Sequence, residues 1–91
     1  MLSLYTAFDV QIELKEHLKQ SRKQQKLSVE GLAEQSGVPY STIRKFENTG
    51  NISLRQFLML LEALGGLKQL RDVYQKQNVE PANIDEVLKN A

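Results

Sequence analysis

An all-α fold, a compact five-helix bundle with short N- and C-terminal tails, is the architecture this sequence predicts, and three observations carry it. Gly37, Pro39, Gly50, Gly65, Gly66 and Pro81 punctuate the chain into short segments. Within those segments the apolar residues recur at helical spacing rather than in the alternation of a half-buried strand. The 91 residues, 41% hydrophobic and 25% charged, suffice for one core and are too few for two ordinary domains. The expected organisation is a tail over 1–8, one domain over 9–77, and a tail over 78–91 with room for one short helix.

The first helix runs from about Asp9 to Gln25, because Val10, Leu14 and Leu18 recur every four residues, with Arg22 one turn further along the same face. Ser28 caps the second, its hydroxyl accepting from an otherwise unpaired amide. Leu32 and Ala33 point inward from this helix until Gly37 stops it. Pro39 suits the first turn of a third helix, over about 39–48, where its missing N–H costs nothing. Ile43 and Phe46 form an inward i, i+3 pair there, which leaves Tyr40, Ser41, Arg44 and Lys45 facing outward. Ser53 followed by Gln56 is a capping-box pattern opening a fourth helix, whose Leu54, Phe57, Leu58, Leu61 and Leu64 read as a buried stripe. Gly65 and Gly66 end it. Leu67, Leu70 and Tyr74 mark a weaker fifth helix, and "PANIDEVLKNA" adds a last turn or stays loose.

Composition removes several functional classes. With no cysteine, disulfides, thiolate metal sites and a cysteine nucleophile are excluded. No apolar run reaches the roughly 18 residues of a membrane span, and "MLSLYTAF" lacks the basic start and long apolar stretch of a signal peptide, so a cytoplasmic location is the expectation. His17 is the single histidine, on a Lys-rich helix beside Glu13 and Glu16, and such a residue is ordinarily an exposed one. Gly65-Gly66 follows a leucine-rich helix and lacks the strand and spacing of a phosphate-binding loop. No enzyme, no cofactor and no metal is therefore expected.

A net charge of +1 selects no partner, but its distribution is uneven. Lys15, Lys19, Arg22, Lys23 and Lys26 face only Glu16, whereas the last dozen residues set Glu80, Asp85 and Glu86 against Lys89. A basic end of this kind suits an acidic polymer, and equally a solvated helix face. The stretch "SGVPYSTIRKFENTG" argues for the polymer. Two short helices joined at Gly37, the second apolar on one side and slim, polar and cationic on the other, form a helix-turn-helix. An α-helix fills the major groove of DNA only when its outward residues are hydrogen-bonding near its N-terminus and its inward residues clamp it to the body. Ile43 and Phe46 supply that clamp.

The residues "KLSVEGLAEQSGVPYSTIRKFENTG" resemble the Xre/Cro-C1 family of helix-turn-helix regulators. The matching features are Leu-Ser before helix two, Leu-Ala inside it, Ser-Gly-Val at the turn, Ile in the middle of helix three and Glu near its end. "ISLRQFLMLLEALG" is similar to the family's fourth helix, so the resemblance covers about residues 14 to 77 and implies a lambda-repressor-like DNA-binding bundle. It further implies that Tyr40, Ser41, Arg44 and Lys45 line the groove face. A guanidinium at Arg44 matches the two acceptors of guanine; a solvated arginine is the alternative. Tyr40 reaches a phosphate, stacks on a thymine methyl or packs against helix two. The phosphate-contacting positions implied are Ser28, Thr42, Asn48, Thr49, Asn51 and Lys23, near helix N-termini whose free amides attract anions. Arg22 matches a place where the family sets an arginine against the glutamate at Glu47. A structural ion pair and a phosphate contact are both open to it.

Three positions depart from the family pattern. Val29 stands where many relatives carry a phosphate-donating glutamine, Thr49 where a basic residue is frequent, and Gly31 lies inside helix two. As one recognition helix covers few base pairs, a homodimer on paired half-sites is expected, with the fifth helix and the tails as its seam. Met59, Leu60 and Leu67 exceed what the fourth-helix stripe needs, and read either as part of such a surface or as a crowded core. "MLSLYTAFDVQIEL" with "FENTGNISLRQFL" is also similar to small HipB-like antitoxins that accompany HipA-like kinases. That resemblance implies a protein toxin partner as the alternative function, alongside repression of the antitoxin's own operon.

Overall fold

The structure is a computed structural model that describes residues 5–78. Five helices and no strand occur among the described residues: α1 Ala7–Gln24, α2 Val29–Ser36, α3 Tyr40–Thr49, α4 Leu54–Leu64 and α5 Leu67–Asn78. None of them is long and apolar enough to cross a membrane. The last turn expected within 81–91 lies outside the described residues.

Local hydrogen bonds account for each helix end. α1 opens at Ala7 rather than Asp9, because Thr6 and Asp9 form a capping box: Thr6 Oγ1 accepts from the Asp9 amide and Asp9 Oδ2 accepts from the Thr6 amide, both at 3.1 Å. The Ser28 hydroxyl accepts from the Gly31 amide at 2.9 Å and opens α2. α2 then ends at Gly37, whose φ of 81° lies in the left-handed region that a Cβ disfavours. Pro39 is the N-cap of α3 rather than its first helical residue. Ser53 accepts from the Gln56 amide at 3.1 Å to open α4, and Gly65 closes that helix with φ 85°.

The core is Leu18, Val29, Leu32, Val38, Ile43, Phe46, Leu60 and Leu64, drawn from α1 to α4 and the turn between α2 and α3. α1 packs on α3 and α4, α2 packs on α3 and α4, and α5 lies against α4. Phe46 meets Phe57 edge to face, with ring centroids 6.0 Å apart.

Burial departs from the periodic expectation at several positions. Val10 and Leu14 are 43% and 40% exposed although they share the stripe of buried Leu18. Leu54, expected in the α4 stripe, is 73% exposed. These three residues line one open groove together with Phe57 and Ile52, at the end of the bundle where no further helix among the described residues covers α1 and the start of α4. Leu60, read as surplus to the stripe, is 1% exposed at the centre of the core, and Met59 packs partly buried against it. The α4 face that packs inward is therefore rotated toward Leu60 and Leu64, and the crowded-core reading holds for Met59 and Leu60. Tyr74 on α5 is exposed, while Leu67 and Leu70 are half-buried. Val38, in the turn, is 1% exposed and completes the core from a position outside any helix.

Candidate nucleic-acid interface

α3 has two unlike sides. Ile43 and Phe46 are 0% and 2% exposed, which anchors the helix, while Tyr40, Ser41, Arg44 and Lys45 are all exposed on its outer side. The Arg44 guanidinium carbon lies 6.0 Å from the centroid of the Tyr40 ring, one turn back along the helix. The ring limits where the cation can go. Arg44 is exposed, and Tyr40 is 45% exposed.

The helix is also fixed through charge. Glu47, on the inner side of α3, accepts from Arg22 Nε at 2.8 Å and from Arg22 Nη2 at 3.0 Å, while Arg22 Nη1 donates to the Leu27 carbonyl at 2.9 Å. Both residues are buried. This bidentate pair ties α1 to α3 and to the turn leading into α2. All three guanidinium nitrogens of Arg22 are thus engaged within the protein.

At the C-terminal end of α3 the chain makes a hydrogen-bonded loop. Thr49 Oγ1 donates to the Lys45 carbonyl at 2.7 Å and accepts from the Asn51 amide at 3.1 Å. Gln11 Nε2, reaching over from α1, donates to the Gly50 carbonyl at 2.6 Å and to Asn51 Oδ1 at 3.0 Å. Asn51 then joins Ser41, Thr42, Lys45, Ser53 and Gln56 around an open polar cleft between α3 and the start of α4. Thr42 is half-buried, and Asn48, Thr49 and Asn51 are exposed.

Ser28 and Lys23 stand apart from that cleft in the sequence, at the start of α2 and the end of α1, and both are exposed. Because the Ser28 oxygen accepts from Gly31, its proton remains for an outside acceptor. Val29 is 7% exposed, a core residue in place of a surface donor. Further along α1, Lys15 donates to Glu16 at 2.9 Å. That hydrogen bond and the charge of Lys15, with more distant Lys19 and Lys23, hold the Glu16 carboxyl below the usual range.

Sequence reasoning did not single out Gln11 or place Ser53 and Gln56 at this cleft. Ser53 and Gln56 were legible only as helix caps; nothing in the sequence connects Gln11 to a loop 39 positions away. His17 is exposed on α1, and no group of three or more His, Asp or Glu among the described residues is placed to hold a metal.

A family model for helix-turn-helix domains matches residues 18–71, more than half of the chain. No curated protein and no solved structure matches it. The matched segment holds α2, the turn at Gly37, α3 and α4, the elements that build the outward face of α3 and the adjoining cleft. The chain belongs to the Xre/Cro-like helix-turn-helix family, DNA-binding proteins of transcription regulation.

Proposed function

We propose that this protein is a sequence-specific repressor that seats α3 in the major groove of an operator as a homodimer. The observation that carries the reading is the division of α3. Its buried Ile43, Phe46 and Glu47 hold it rigidly, and its exposed Tyr40, Ser41, Arg44 and Lys45 form a slim polar face near the N-terminal end. Arg44 reads guanine through its two N–H donors, steadied by the Tyr40 ring. Phosphates are met by Lys23 and Ser28 on one side and by Thr42, Asn48 and Asn51 on the other, which sets the register of the helix in the groove. Thr49 serves chiefly to shape the loop, as its hydroxyl proton goes to the Lys45 carbonyl. Two copies on half-sites about 34 Å apart supply the affinity that one short helix lacks.

Selection of randomised duplexes by the purified protein, beside an Arg44→Ala variant, tests this. A palindrome enriched by the wild type and degraded at one base position in each half-site by the variant is the expected result. Enrichment unchanged in the variant would remove Arg44 from base reading, and none at all from folded protein would remove the DNA-reading proposal.

A second reading, an antitoxin-type module that restrains a HipA-like kinase and represses its own operon, is favoured by the open apolar groove of Val10, Leu14, Leu54 and Phe57. Exposed apolar surface of this kind suits a protein partner. Binding to such a kinase should survive Arg44→Ala and fail in Leu54→Glu.

A further inference from the structure

We infer that Gln11 is a positioning residue for phosphate binding: it sets the orientation of the Asn51 side-chain amide so that its NH2 group, and not its oxygen, is offered to a backbone phosphate. The inference rests on the DNA-binding reading and deepens it.

The argument starts from a carbonyl that can only accept. Gly50 O lies 2.6 Å from one terminal atom of Gln11, so that atom is the NH2 nitrogen. The same nitrogen lies 3.0 Å from a terminal atom of Asn51, which must then be the oxygen, because two NH2 groups do not hydrogen-bond to each other with their protons. Asn51 Nδ2 is left as the remaining end of that side chain, and no described residue accepts from it. Rotated by half a turn, the amide would present an oxygen, which repels a phosphate oxygen instead of binding it. The choice is made by a side chain on α1, outside the matched helix-turn-helix segment.

The surroundings favour an anionic oxygen as the ligand. Asn51 shares its cleft with Lys45, a cation, and with the hydroxyls of Ser41, Thr42 and Ser53. Among the described residues no carboxylate lines it. Gly50, where the Gln11 bond is anchored, is buried with φ 82°, and a Cβ there would come within 3.4 Å of Gln11 Cγ. That contact is an ordinary one, so it is the left-handed backbone of Gly50, and not the space beside Gln11, that calls for glycine.

A double-mutant cycle on binding to a mixed-sequence duplex at low salt is the test, since phosphate contacts are independent of sequence. Asn51→Ala is expected to weaken binding by roughly 10- to 100-fold, the worth of one charge-assisted hydrogen bond, and Gln11→Met by roughly 2- to 5-fold, because the freed amide can still donate but is no longer held in the donating orientation. In the Asn51→Ala background Gln11→Met should add nothing. A further loss there would mean that Gln11 merely supports the loop, and unchanged affinity in Gln11→Met alone would also overturn the inference. As a readout that does not depend on a variant folding, the side-chain NH2 resonances of Asn51 in the wild type should shift on adding duplex. Resonances that stay in place while the duplex binds would reject the contact. A wild type that binds no duplex at low salt would fail the DNA reading itself, and the inference with it.

Discussion

Removing one partner of the Arg22–Glu47 pair should cost more than any other single polar substitution in this protein. Glu47→Leu leaves a guanidinium buried with only the Leu27 carbonyl as acceptor, after the loss of contacts at 2.8 and 3.0 Å. An uncompensated buried charge costs about 3–5 kcal/mol, because desolvation is no longer offset by Coulomb attraction. A domain of this size has about 5–10 kcal/mol of stability in all. The variant should therefore lose at least about a third of it. In urea, with a slope near 1.5 kcal/mol per molar, the midpoint should fall by roughly 2–3 M. Circular dichroism at 222 nm follows the helices, in a signal type set by the peptide bond rather than by tryptophan, of which the chain has none. The double variant Arg22→Met, Glu47→Leu removes both charges together and should recover much of the loss, since well-packed apolar replacements of buried pairs are often neutral. A Glu47→Leu protein within about 1 kcal/mol of the wild type, or a double variant no more stable than the worse single one, would refute the reasoning.

Leu60→Ala should destabilise by about 2–5 kcal/mol by opening a cavity in the core, whereas Leu54→Gln should change stability by no more than about 0.5 kcal/mol; chemical denaturation compares the two. Gly37→Ala should cost about 1–2 kcal/mol, because the left-handed backbone there strains any L side chain, while its Cβ would meet only Met59 Cε at an ordinary 3.5 Å. Lys45→Ala should weaken binding to all duplexes alike and lower the slope of log affinity against log salt by about one if it meets phosphate; titrations at several salt concentrations measure it. A change confined to one base position would instead make Lys45 a base-reading residue.

Helix ends were legible in the sequence wherever one residue decides them. Ser28, Gly37, Gly50, Ser53 and Gly65 act through a single hydrogen bond or a single positive φ, both local properties, and the boundaries of α2, α3 and α4 fall beside them. The Thr6–Asp9 box was equally local, and the apolar spacing that begins at Val10 drew the helix start two residues late. The pairing of Arg22 with Glu47 was readable only through resemblance, since nothing in the spacing of two residues 25 positions apart brings them together.

Periodicity names a face, and the crossing of helices chooses how far along that face burial extends. Val10, Leu14 and Leu18 share one stripe, yet only Leu18 sits where α3 and α4 close over α1. On α4 a rotation of the inward face exchanged Leu54 for Leu60, which joins the core cluster at 1% exposure. The candidate site divides in the same way. Which side of α3 is polar follows from the order of its residues, because a helix converts order into direction. Where the loop after α3 stands, and which end of the Asn51 amide faces Gln11, follows from Gln11 meeting Gly50 across 39 positions of chain, a contact that exists only once α1 has packed on α3.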